Sequence, residues 1–194
     1  PSNSDHLIKQ SKKLFIESNK KEIQIKEDKS FSENIFIVGM PRCGSTLVES
    51  ILSIKDVVYD LGETNFLEES FLECENSKKD MNLAELYRKK VKNKTDLNIT
   101  TNKNLYNYQY AGIILNQIPN VKIIHCFRNP LDNILSIYRA NFTNGNQYSQ
   151  SLVDCAKVYL DQEEIMTKYK HRFRSKIYDL NYDLLVSNPN KEIK

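Results

Sequence analysis

The sequence predicts an α/β fold of three layers: a parallel central sheet of about five strands flanked by helices. Two observations predict it. Short apolar, β-prone runs recur near 35–38, 56–60, 97–101, 121–127 and 175–181, and longer amphipathic segments separate them. Alternation of this kind places a parallel sheet between helices. In addition, Ile35-Phe36-Ile37-Val38 runs straight into a loop bounded by Gly39 and Gly44. That loop opens into a segment bearing Leu47, Val48, Ile51 and Leu52 at helical spacing, which makes a strand, an anion loop and a helix.

Residues 1–33 are rich in Lys, Ser, Asn and Glu, with few apolar residues to bury, among them Leu7, Ile8, Leu14, Phe15 and Ile23. They read as one amphipathic helix and a linker, charged and distinct from the domain at 34–194. Helices are expected near 45–54, 64–73, 82–92, 106–117, 132–142 and 150–172. Val57-Val58-Tyr59 marks the second strand, and Val121-Lys122-Ile123-Ile124-His125-Cys126-Phe127 is a mostly apolar, buried fourth. Asn141-Phe142-Thr143-Asn144-Gly145-Asn146 is a loop, and a last helix begins after Asn188-Pro189.

The chain has 194 residues, long enough for one sizeable core, with 40% hydrophobic and 27% charged residues. A net charge of +3 and scattered lysines such as Lys12-Lys13 and Lys20-Lys21 do not describe a nucleic-acid surface. Cys43, Cys74, Cys126 and Cys155 lack CxxC spacing. Reduced cytoplasmic thiols fit them better than a disulfide frame or a zinc site. No apolar run approaches membrane-spanning length, and the start at Pro1 has no signal-peptide pattern. No 34-residue repeat is present, so any tetratricopeptide array would lie upstream.

The first loop carries the chemistry. Gly39, Gly44 and Thr46 fit the P-loop frame G-x-x-x-x-G-K-[ST], but Ser45 occupies the Lys slot and the cation stands three places earlier, at Arg42. A loop Lys is what reaches the β and γ phosphates in nucleoside triphosphatases. Without it the site suits a phosphate-like group of lower charge. The first-turn N–H groups, the helix dipole and the Arg42 fork all favour an anion. Gly44 permits close backbone approach. A second signal follows the fourth strand. Arg128 stands at a carboxyl end, and Ser136 lies two turns into the next helix. Ligands of open α/β sheets bind at such ends.

Pro41-Arg42-Cys43-Gly44-Ser45-Thr46-Leu47 resembles the 5′-phosphosulfate loop of sulfotransferases, P-[KR]-S-G-T-[TW]-[LW], with Cys43 for Ser and Ser45 for Thr. Arg128-Asn129-Pro130-x-Asp132-x-x-x-Ser136 resembles the same family's 3′-phosphate motif. Leu180-Asn181-Tyr182-Asp183-Leu184-Leu185-Val186 is similar to its strand end Y-E-[DQ]-L-V, and Thr101-Asn102-Lys103 to its D-K segment. The likeness spans about residues 34–188 and is nearest to bacterial domains that follow tetratricopeptide repeats, related to the tyrosylprotein sulfotransferases. It implies a cytoplasmic, bacterial P-loop-type enzyme that takes 3′-phosphoadenosine-5′-phosphosulfate as donor, releases adenosine-3′,5′-bisphosphate and needs no metal. Arg42, Cys43, Gly44, Ser45, Thr46 and Leu47 would hold the phosphosulfate, and Arg128, Ser136 and Tyr182 the 3′-phosphate. The family pattern continues with further helices and a closing loop, so the domain is expected to lack its C-terminal part. No nucleic-acid partner and no membrane span are implied.

Leu61-Gly62-Glu63-Thr64 follows the second strand and matches the G-E-T element in which related enzymes place a Glu base. Glu63 is therefore the candidate base, with a helix-capping carboxylate as the alternative role. Arg42 would neutralise charge on the leaving phosphate. Lys103 faces the sulfate or is a solvated loop lysine. Glu49 reads as structural and His125 as a satisfied core histidine. The acceptor is a hydroxyl of a protein tyrosine, a sugar or a small alcohol. Two other functions compete: a P-loop kinase-like enzyme, against which the missing loop Lys speaks, and an inactive nucleotide-binding or interaction module.

Overall fold

A computed structural model of the chain describes residues 2–20, 32–77, 81–142 and 145–193. The expected linker with Ile23, and Thr143 and Asn144 of the Asn-rich loop, lie outside the described residues. Five strands form one parallel sheet: β1 Glu33–Gly39, β2 Val58–Asp60, β3 Ile99–Asn102, β4 Val121–Phe127 and β5 Ile177–Asn181. Their order is β2-β3-β1-β4-β5. The helices are α1 Ser4–Lys20, α2 Ser45–Leu52, α3 Phe66–Asn76, α4 Leu83–Lys92, α5 Ala111–Gln117, α6 Pro130–Ala140, α7 Leu152–Arg172, α8 Tyr182–Ser187 and α9 Pro189–Glu192.

β1 is central, and Phe36, Ile37 and Val38 are fully buried, as a strand covered on both faces requires. Its register sets Gly39 beside Cys126 of β4 and Phe36 beside Asn102 of β3. Phe127 in turn stands beside Asn181 of β5, and Asp60 beside Thr101. All strands point one way, so the segments after residues 39, 60, 102, 127 and 181 gather along one edge.

The expected helix at 106–117 is two pieces. Leu105–Tyr110 is a 3₁₀ turn, and only Ala111–Gln117 is α-helical. Asn side chains impose the tighter turn: Asn104 Oδ1 accepts from the Tyr106 N–H at 3.2 Å, and Asn107 Nδ2 donates to Asn102 Oδ1 at 3.0 Å. Ser151 caps α7 by accepting from the Asp154 N–H at 3.3 Å.

The charged α1 packs on α5 and α7. Its inner stripe is Ser4, Leu7, Ser11, Leu14 and Ser18, a 3–4 spacing in which the serines let the helices approach closely. Ser18 meets Gly112 of α5 so closely that a Cβ there would lie 2.6 Å from the Ser18 hydroxyl. Leu14, 5% exposed, belongs to the same buried cluster as Phe36, Tyr87 and Met166. Leu14→Ala should therefore destabilise the fold by about 2–4 kcal/mol, measured by urea unfolding.

Candidate active site

The loop after β1 is held in an unusual backbone. Arg42 has φ 70° and Gly44 φ 92°, so two of its residues occupy the left-handed region. The turn closes through the Cys43 N–H, which donates to Met40 O at 3.2 Å. α6 braces it from one side, with Asn133 Nδ2 donating to Pro41 O at 2.8 Å. α2 starts at Ser45, so the Ser45 and Thr46 N–H groups lie at its N-terminus beside the loop, while the Leu47 N–H donates to Gly44 O at 3.0 Å.

Arg42 is exposed and reaches across to α6, where its Nε donates to Ser136 Oγ at 3.3 Å. Arg128 comes from the end of β4 and directs Nη1 toward Arg42 O at 3.5 Å. Its guanidinium lies over the Tyr182 ring, 5.2 Å from the centroid. Its Nε is buried and has no partner among the described residues. Asp132 is its nearest carboxylate, at 3.9 Å. Tyr182 packs on Gly44 so tightly that a Cβ at position 44 would lie 2.1 Å from the ring. Asp183 tightens the corner by accepting from the Asn129 N–H at 2.7 Å. The resulting cleft has a volume of about 470 Å³ and is walled by Arg42, Arg128, Asp132, Ser136 and Arg139.

The structure thus brings Arg42 of the first anion motif and Arg128, Asp132 and Ser136 of the second to one cleft, while Tyr182 lies under the Arg128 guanidinium and against Gly44. Thr46 and Leu47 stand exposed at the start of α2, and Ser45 is buried. Cys43 is different. Its side chain is 1% exposed and packs inward with Ile37, Val48, Cys126 and Leu185. A side chain at this position supports the loop from behind, so the Cys-for-Ser change does not strip a hydroxyl from the cleft. A hydrogen bond shared with Cys126 pulls the Cys43 thiol below its ordinary range and pushes Cys126 up.

A second group forms on the other side of β1. Lys103 Nζ pairs with Glu63 Oε1 at 2.6 Å. The lysine side chain is only 8% exposed, whereas Glu63 is 72% exposed, so Lys103 is no solvated loop residue. The Lys103 N–H donates to Gly62 O at 2.8 Å, and Asn102 Nδ2 donates to Thr64 Oγ1 at 3.0 Å. Among the described residues Glu63 precedes α3 without capping it, since the cap position is Asn65. Arg42 therefore sits with Arg128 and Ser136, and Glu63 with Lys103. His125 is wholly buried between Gln162, Glu163 and Asp179, with Nε2 2.7 Å from Gln162 Nε2.

Sequence reasoning did not single out Arg139 or Asn133. The signal for Arg139 was its place on α6, one turn after Ser136 and two after Asp132, on the face that looks into the cleft.

The model of the Sulfotransferase family matches residues 34–99 and 82–194 of this chain. The chain belongs to the sulfotransferase family, whose members are transferase enzymes that move a sulfuryl group. A protein of Aquifex aeolicus (strain VF5), described only as uncharacterized, is 30% identical over 185 residues, covering 82% of this chain and 24% of its own length. The chain thus spans about a quarter of that relative.

Among solved structures the fold is similar to the sulfotransferase domain of the Synechococcus PCC 7002 olefin synthase. That match has 18% identity, covers 89% of this chain and 74% of that one, and gives a TM-score of 0.60. It is also similar to mouse sulfotransferase SULT7A1 complexed with PAP, at 16% identity, with 85% and 58% of the two chains covered and a TM-score of 0.54. Sulfotransferase STF1 of Mycobacterium tuberculosis H37Rv matches at 11% identity, with 96% and 70% covered and a TM-score of 0.55. Among the described residues no helix is long and apolar enough to cross a membrane, and no group of three or more His, Cys, Asp or Glu side chains is placed to hold a metal.

The Gly44–Tyr182 contact makes a clear demand. Gly44→Ala adds a methyl where the ring already lies and strains a positive φ, so it should cost about 1–3 kcal/mol. Gly145→Ala, with φ 77° but open space around it, should cost less. Parallel chemical denaturation of the two variants checks the difference.

Proposed function

We propose that this chain is the catalytic domain of a sulfotransferase that uses 3′-phosphoadenosine-5′-phosphosulfate and a hydroxyl acceptor. One observation carries the reading. Three guanidinium groups line a single cleft beside an anion loop, and one of them, Arg128, keeps a buried Nε without a partner among the described residues. An unmet buried donor is costly and points to an anion that the protein itself does not supply. A nucleotide phosphorylated at both the 5′ and 3′ positions matches that donor set. The PAP bound to SULT7A1, a protein of similar fold, supports the choice.

On this reading the loop N–H groups at the start of α2 and Arg42 hold the 5′ side. Arg128, Ser136 and Tyr182 hold the 3′-phosphate. When bound, the donor supplies a sulfuryl group whose bond to the phosphate oxygen breaks as the acceptor oxygen bonds to sulfur. Glu63 takes the acceptor proton on its carboxylate, and exposure leaves it open to that acceptor. Lys103 is a buried ammonium beside it, suited to the negative charge that grows during transfer. Tyrosine, sugar and small-alcohol hydroxyls share this chemistry. A bacterial, cytoplasmic setting downstream of tetratricopeptide repeats is the one the sequence likeness supports.

Adenosine-3′,5′-bisphosphate at a hundredfold excess over its dissociation constant should stabilise the fold by about 2–3 kcal/mol in thermal shift assays. Equal shifts with ATP, or a strict Mg²⁺ requirement, would favour a kinase-like enzyme instead. Arg128→Ala should weaken the bisphosphate by roughly 2 kcal/mol, through loss of one charge-assisted partner. The same change should leave adenosine 5′-phosphosulfate, which lacks the 3′-phosphate, nearly unaffected in calorimetry. Equal weakening of both ligands would make Arg128 a structural residue.

Glu63→Gln keeps shape and removes the base, so turnover of radiolabelled sulfate should fall about 10²–10⁴-fold. Bisphosphate affinity should stay within about 0.5 kcal/mol of the parent protein, as for changes away from a contact. Undiminished turnover would sink the assignment of the base. An inactive binding module would show the bisphosphate affinity with no turnover to lose.

A further inference from the structure

Glu49 is a buried carboxylate that the reading above does not use. It lies on α2, directly behind the anion loop, and is 7% exposed. Its Oε1 accepts from Thr101 Oγ1 at 3.0 Å. Thr101 is the third residue of β3 and Lys103 stands two residues on. The parallel ladder continues past the strand, with the Leu61 N–H donating to Thr101 O at 2.9 Å and the Lys103 N–H to Gly62 O at 2.8 Å. Extended backbone sends side chains two residues apart to the same face. The ladder therefore turns Thr101 and Lys103 to one side, and Glu49 meets that side from α2.

The charges agree with this placement. Burial pushes the Glu49 carboxyl above its ordinary value, and the Thr101 hydroxyl and the Lys103 ammonium oppose that push. Asp60, at the end of β2, adds to the rise. Glu63 is the other carboxylate facing the lysine.

Lys103 thus pairs with one exposed carboxylate, Glu63, and has a second, buried one, Glu49, on the same side of β3 but beyond salt-bridge distance. The difference matters during the proposed reaction. When Glu63 binds the acceptor proton it becomes neutral, and a lysine that is only 8% exposed would lose its ion-pair partner. An uncompensated buried ammonium is strongly disfavoured. We propose that Glu49 is a positioning residue: a second, buried carboxylate that keeps the Lys103 ammonium compensated and in place while Glu63 carries the proton. This inference rests on the sulfotransferase reading for its catalytic consequence, but the placement of Glu49 on the Lys103 side of β3 is a property of the fold alone.

The test has two arms. In the first, Glu49→Gln, Glu63→Gln and the double variant are melted with the unsubstituted protein as reference. Either carboxylate alone compensates Lys103, so the double variant should unfold at least about 5 °C below the value expected from adding the single shifts. Additive shifts would overturn the shared lysine. In the second arm kcat and donor KM are compared for Glu49→Gln and Thr101→Val. Glu49→Gln keeps an oxygen for the Thr101 hydroxyl and loses the charge, so kcat should fall about tenfold or more with donor KM within about threefold. Thr101→Val removes the same hydrogen bond and keeps the charge, so kcat should fall less than about threefold. Equal losses, or a KM that rises with the fall in kcat, would make Glu49 a fold support and overturn the proposal. Absence of turnover in the unsubstituted protein would favour the inactive binding module over the enzyme and overturn the catalytic consequence, and the melting cycle would still decide whether Glu49 and Glu63 share the lysine.

Discussion

The site depends on how closely the anion loop approaches β4. Gly39 pairs with Cys126, and a Cβ at Gly39 would lie 2.3 Å from the Cys126 carbonyl oxygen. Only glycine permits that contact, because any side chain there would force the two strand ends apart. The contact brings the segments after β1 and β4 together, so Arg42 and Arg128 share one cleft. Asn133 and Ser136 of α6 then reach the loop by hydrogen bonds. The buried Cys43 and Cys126 side chains fill the space beneath. A wider spacing at this one pair would separate every element of the anion cleft.

Charge is divided between the two sides of β1. On one side guanidinium groups are concentrated, and Asp132 is the carboxylate among the cleft walls. On the other side Lys103 pairs with Glu63, and the buried Glu49 is held by Thr101. On the proposed reading, that division gives a polyanion one side and a proton transfer the other. Preorganised charge of this kind costs stability where it is buried, and it is retained where it serves transition-state electrostatics.

Much of the fold was legible because apolar runs in a buried parallel sheet are unbroken. β4 at 121–127 was read to the residue, since both of its faces pack. β2 is only Val58–Asp60, shorter than the expected 56–60, because it is an edge strand with one partner. The break within 105–117 was hidden, since side-chain bonds from Asn102 and Asn104, not propensity, decide it. The packing of α1 was hidden for another reason. Its contact face is half serine, and small hydroxyl residues count as polar in a pattern although they pack like alanine. At the site, motif spacing led to Arg42, Arg128 and Ser136, but it could not show that the Cys43 sulfur points into the core or that Lys103 is buried. Those facts depend on side-chain direction, which motif spacing does not encode.

The contact between Tyr182 and Gly44 also sets an order of assembly. The loop lies in the first quarter of the chain, and the ring that covers it comes from the first residue of α8. During synthesis the N-terminal strand and loop leave the ribosome long before residue 182 does. Until then β4 lacks its outer partner β5, and Arg128 lacks the ring beneath its guanidinium. Joining elements so distant along the chain also delays folding, because a long loop must close first. A growing chain therefore exposes its anion loop well before its fifth strand is in place to complete the cleft.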